Sequence, residues 1–119
     1  MRVVYNDLIP FKGFAAVNVF GVLFVRRGVT VTERMLTHEG IHTRQMWEMA
    51  FVLFYLWYGV EWLLRYLSGL VDSWTGLNDG DELGRRAYFD VSFEREAYRN
   101  EDNSGYLKNR RLFAWIKFL

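Results

Sequence analysis

Short runs rich in Val and Phe, bounded by turn-forming residues, fill the front of the chain, and a helical spacing follows. Val3 to Tyr5 form a candidate short strand, ended by the turn-forming "IPFKG". From Val17 to Arg26, "VNVFGVLFVR" is rich in Val and Phe and predicts one strand, with Gly21 marking a bulge or a close backbone approach. "TVTE" places Thr30 and Glu33 at capping-box spacing, with Thr32 a rival cap, so a helix is expected from about Val31 to Ala50. A second helix, with or without a break near Ala50, continues to about Leu70. "SGLVDSWTGLNDGDELG" then has the Gly, Asn, Asp and Ser density of a loop. Ser92 is an N-cap candidate for a helix over Phe93 to Asn100, and a basic, aromatic stretch, "YLKNRRLFAWIKFL", follows. The pattern predicts an α+β fold: a mostly helical single domain over 1–119 with a small antiparallel sheet.

Composition narrows the function. A length of 119 residues suits one modest core and is too short for two, and 51% hydrophobic content disfavours disorder. The net charge of +1 gives no case for nucleic acid. The absence of cysteine excludes disulfides and thiolate zinc sites without choosing a compartment. "MRVVYNDLIPFKGF" lacks a continuous apolar stretch and a small-residue cleavage site, so no signal peptide is expected. That points to a cytoplasmic location, or one peripheral to the inner membrane.

Membrane contact is weighed at two places. Within 50–70 the uninterrupted apolar part, Ala50 to Val60, is 11 residues long, whereas a spanning helix needs roughly 20. Glu61 and Arg65 then follow at ion-pair spacing. A buried core helix is the favoured reading, and the aromatic stripe from Trp47 to Trp62 is read as core. Trp57, Tyr58, Trp62 and Tyr66 keep a membrane-lying helix open. The tail over 107–119 is either a helix capping the core or a basic, apolar membrane contact.

The chemistry concentrates in "LTHEGIHTRQMWE", which holds both histidines of the chain. Residues four apart on a helix lie one above the other, so His38 and His42 can grip one ion. Glu39 projects about 100° round, where a base must stand to take a proton from an activated water. Chance produces this arrangement on the order of one time in a thousand for two histidines in such a chain. A catalytic zinc wants a third protein ligand, and with neither Cys nor another His that ligand must be Asp or Glu. Glu94 and Glu96 open the short helix after Ser92, and residues two apart diverge by about 200°, so only one of them can face the ion. The competing reading is a pair of histidines with no metal.

"HEGIH" followed by "FEREA" resembles the gluzincins, thermolysin-like zinc peptidases with an HExxH helix and a glutamate on a later helix. It is most similar to their compact single-domain members, minigluzincin-like and small bacterial HExxH proteins. The resemblance covers roughly Val17 to Glu101 and includes Gln45, as in HExxHxxQ. It implies a single zinc ion held by His38, His42 and Glu94, with Ala97 as the small residue three places on. The expected Asp is replaced by Tyr98. The alternative third ligand is Glu96, with Asn100 as its supporting acceptor. The activity implied is hydrolysis of a peptide or protein substrate laid along the strand at Val17 to Arg26, with Glu39 moving the proton. Tyr98, Tyr88 and Arg99 are candidate donors to the oxyanion. The alternative is a non-catalytic relic of this scaffold, with or without zinc, that binds a partner or sits on a membrane.

Overall fold

Along Val22–Arg26, Leu23 and Val25 are fully buried and their neighbours half-buried, the period-two signature of a strand with one face inward. The computed structural model describes residues 1–8, 15–72 and 80–119. Three strands, β1 (Arg2–Asn6), β2 (Ala16–Val19) and β3 (Val22–Arg26), form a sheet ordered β1-β3-β2. Helices α1 (Glu33–Glu48), α2 (Val52–Asp72), α3 (Gly80–Asp90), α4 (Ser92–Asn100) and α5 (Tyr106–Asn109) follow, with a closing 3-10 turn over Ala114–Phe118. The fold class is α+β, as the pattern predicts.

Two expectations for the sheet need correction. The single strand over Val17 to Arg26 is a hairpin. Val19 pairs with Val22, leaving Phe20 (φ 49°) and Gly21 (φ 88°) as a two-residue loop of the kind whose twist matches its flanking strands. Phe20 sits in a region that costs a non-glycine residue about 1 kcal/mol. Its ring packs on Tyr55 and Phe51, and its N–H donates to the Tyr55 hydroxyl at 3.1 Å. The sheet is also mixed rather than antiparallel. β1 runs parallel to β3, from Arg2 opposite Val22 to Asn6 opposite Arg26, while β2 lies antiparallel on the far edge. Apolar periodicity says which face a residue takes and nothing of strand direction.

Thr32, not Thr30, caps α1, its hydroxyl accepting from the Met35 N–H at 3.2 Å. The helix stops two residues short of Ala50 because Ala50 (φ 51°) and Phe51 (φ 57°) both turn left-handed. The Phe51 N–H closes the end on the Met46 carbonyl at 2.7 Å. α2 continues to Asp72 and α3 starts at Gly80, both inside the stretch whose composition reads as loop; residues 73–79 and the turn at Pro10 lie outside the described residues. Gly40 sits inside α1 for a packing reason. A Cβ there would meet Leu107 of α5 at 2.7 Å.

Ser92 does not cap α4. It is the first helical residue, and Glu61 of α2 caps the end instead, accepting from the Ser92 N–H and hydroxyl, each at 2.6 Å. A carboxylate suits the positive end of a helix. Met46, Phe54, Val91, Phe93 and Trp115 form the core, with Phe93 stacked 4.6 Å from Phe54 and Trp115 edge-on at 4.8 Å. The tail thus caps the core through Trp115. The aromatic stripe is only partly core: Phe54, Tyr58 and Trp62 face inward, whereas Trp47 is 69% exposed. No helix among the described residues is long and apolar enough to cross a membrane.

Candidate metal centre

Helical spacing puts His38 and His42 on the buried face of α1, with their Nε2 atoms 3.1 Å apart. α4 packs against this face and presents Glu94 from its first turn. Glu94 Oε1 lies 2.9 Å from His42 Nε2 and 3.2 Å from His38 Nε2. Its other oxygen accepts from the Tyr58 hydroxyl at 2.6 Å. His38, His42 and Glu94 form a buried group that could hold a metal ion.

The far side of each imidazole fixes what the near side offers. His38 Nδ1 faces Glu101 Oε2 at 2.8 Å, and a carboxylate there demands a donor. His42 Nδ1 faces Gln45 Oε1 at 2.8 Å. The orientation of that amide is set by its Nε2, which donates to the Phe93 carbonyl at 3.0 Å and to Glu96 Oε1 at 2.9 Å. Each Nδ1 therefore carries a proton, and neutral rings present Nε2 lone pairs to one another and to Glu94 Oε1. Three lone pairs converging at this range need a cation among them, either a proton or a metal.

In the metal-free protein the cation is a proton. Burial alone opposes a charge on His42, but the Glu94 carboxylate overrides it and raises the pKa from 6.5 to about 9. Burial likewise opposes charge on Glu94. The His42 cation and the hydrogen bonds from both imidazoles and Tyr58 prevail and hold its carboxyl well below the usual range. Tyr58 and Tyr88 are pushed far up, first by burial and then by the charge of Glu94, so both stay protonated donors.

The group opens on a cleft of about 280 Å³ bounded by β2 and by Glu39, Tyr55, Tyr58 and Tyr88. Asn18 of β2 clamps the strand to the motif helix, its Nδ2 donating to the Glu39 carbonyl at 3.0 Å and to Thr43 Oγ1 at 3.2 Å. The register turns the peptide groups of Val17 and Val19 toward β3 and those of Ala16 and Asn18 toward the open edge. Tyr55 donates to the Asn18 carbonyl at 3.2 Å. The Glu39 carboxylate lines the cleft and makes no hydrogen bond to another described residue.

The remaining sequence candidates separate clearly. Glu96 points away from the histidines and is gripped by Arg110 at 2.6 and 3.0 Å, so the alternative third ligand is not at the site. Tyr88 lines the cleft. Tyr98 leans its ring on His38, centroids 4.5 Å apart, and its hydroxyl meets that of Tyr88 at 2.9 Å. Arg99 is exposed outside the cleft lining, and Asn100 donates to the Glu96 carbonyl at 2.9 Å rather than to a ligand. Glu101, Tyr58 and Asn18 carry no site role in the sequence reading. Glu101 had a readable signal: it stands seven residues after Glu94, hence on the same helical face.

Compared with protein-family models, curated proteins and solved structures, the chain matches none.

Proposed function

We propose that this chain is a small zinc-dependent metallopeptidase of the gluzincin type that its "HEGIH" and "FEREA" motifs resemble. The observation that carries the reading is the set of three converging lone pairs on His38, His42 and Glu94, aimed at one point beside an open cleft. Donors around a tetrahedral zinc stand about 3.3 Å apart, so separations of 2.9, 3.1 and 3.2 Å fit after small adjustments. Two imidazoles and one carboxylate, with a position left for water, is a donor set of catalytic rather than structural zinc.

Zinc held there supplies Lewis acidity, polarising a water and the scissile carbonyl. Glu39 takes the proton of the attacking water and passes it to the leaving amine as the C–N bond breaks. An extended peptide is held along the open edge of β2, where the peptide group of Ala16 can pair with it. Tyr88, kept protonated, donates to the oxygen on which charge develops. Glu101 and Gln45 fix the two rings.

A second reading has its own support. The Glu94 carboxylate already has a partner for each oxygen, so one shared proton completes the network without metal, as expected of a non-catalytic relic. Metal analysis of the purified chain beside His38→Ala separates the two. Zinc retained by the parent and lost by the variant supports the site; no zinc in either supports the relic. Glu39→Gln then keeps zinc and loses peptide turnover by about 100-fold or more if the peptidase reading holds. Equal turnover by parent and variant rejects it.

A further inference from the structure

The outer side of α2 is as apolar as its inner side. Leu53, Leu56, Val60, Leu64, Leu67 and Val71 are each 47–72% exposed. At 100° per residue they span, with Val52 and Leu63, about 120° of the helix circumference, and no charged residue falls in that arc. Phe54, Tyr58 and Glu61 occupy the opposite side and face the core. The apolar surface continues into the tail. Trp57 meets Trp115 at 5.8 Å, and Leu119 closes a groove of about 360 Å³ with Trp57, Val60, Leu64 and Arg65. Beyond it Leu112 and Ile116 are exposed at 80% and 49%.

Charge identifies what covers this face. From Asn103 to Leu119 there is no acidic residue; Arg111 and Lys117 are exposed beside Leu112 and Ile116, and Lys108 is exposed just before them. Arg110, by contrast, is spent inside the fold on Glu48 and Glu96. An apolar arc without charge, flanked by Trp57 and continued by a tail whose charged side chains are all cationic, matches the interface of an anionic bilayer. The arc is also wider than the narrow seam along which two helices pair, so a second copy docked through α2 would leave part of it wet.

We propose that the outer face of α2 and residues 108–119 form a docking surface that lies on, without crossing, an anionic lipid bilayer. The helix rests in the membrane plane over about 31 Å. The tail cations reach the headgroups, and Leu112 and Ile116 enter the acyl boundary. This inference is independent of what the histidine site does.

The test is co-sedimentation of the full chain with vesicles of phosphatidylglycerol and phosphatidylcholine, against phosphatidylcholine alone. The parent should bind the anionic vesicles and bind the neutral ones far less. Replacing Lys108, Arg111 and Lys117 by Gln, at about fivefold per charge, should weaken binding about 100-fold. All three side chains are exposed, so this variant leaves the core untouched. Leu56→Glu and Leu64→Glu should each weaken it at least about tenfold, with the thermal transition kept. Absence of parent binding to anionic vesicles overturns the proposal, as does equal binding by the Gln variant. A stable dimer that ignores vesicles and dissociates on Leu56→Glu would give the face to a second copy and overturn it as well.

Discussion

Glu96 is met by Arg110, whose guanidinium grips both its oxygens and turns its other edge to Glu48 at 2.8 and 3.0 Å. Glu94, two residues earlier on the same helix and just as buried, is in no ion pair with lysine or arginine among the described residues. Its neutralising charge comes from His42, which gives up its proton only as pH rises through about 9. The contrast separates two uses of a buried carboxylate. A permanent cation makes a fixed joint, here binding α4 to α1 and to the tail through Tyr106 and the Phe113 N–H. An exchangeable cation leaves a place that a metal can take.

The largest effect expected from this contrast is on the fixed joint. Arg110→Met strands Glu48 and Glu96 in the interior and should cost about 3–5 kcal/mol in urea unfolding. A loss below about 1 kcal/mol would mean that the joint is not what holds the tail. At the exchangeable site, Glu101→Gln releases the Nδ1 side of His38. It should lower zinc affinity about 10- to 100-fold in a chelator competition while moving stability much less. An unchanged affinity would remove Glu101 from the site.

The pH response should also divide the two. His42 has its pKa raised above the unfolded 6.5 to about 9, so its contribution is full below 6.5 and is lost as pH rises through 9. Burial opposes charge on Glu96, but Arg110, Gln45 and Tyr106 prevail and depress its carboxyl. Its contribution is therefore present above 4.5 and lost on acidification. The metal-free protein should melt at lower temperature between pH 6.5 and 9, and the zinc-loaded protein should not; parallel melting curves would contradict the exchange of proton for metal. The smallest effect compares two tyrosines. Tyr106→Phe should cost about 1–2 kcal/mol of stability with zinc affinity unchanged, whereas Tyr58→Phe should shift zinc affinity severalfold. The reverse pattern would dissolve the distinction.

Local spacing made part of this readable. His38 and His42 needed only a helix to be aligned, and Glu94 needed only a second one, so three converging donors could be anticipated. What stayed hidden depended on partners distant in sequence. Tyr58 lay in an aromatic run where ring burial masked the hydroxyl that reaches Glu94. Glu61 read as half of a helical ion pair with Arg65, which it does approach at 3.5 Å, yet its closer partners are on Ser92. The hairpin was missed because Phe20-Gly21 lacks the Asn-Gly signature and is held by Tyr55 from another helix. Likewise, Ala50 and Phe51 carry no glycine to announce a left-handed reversal.

Gln45 stands between the two carboxylate centres, its carbonyl oxygen toward His42 and its nitrogen toward Glu96. A carboxamide neither gains nor sheds hydrogen in this range, so it acts as an insulator between neighbouring charges. Were a metal to take the place of the hydrogen ion on His42, that ion could not drain inward past Gln45 to Glu96. Its way out would be the cleft, which Glu39 also lines.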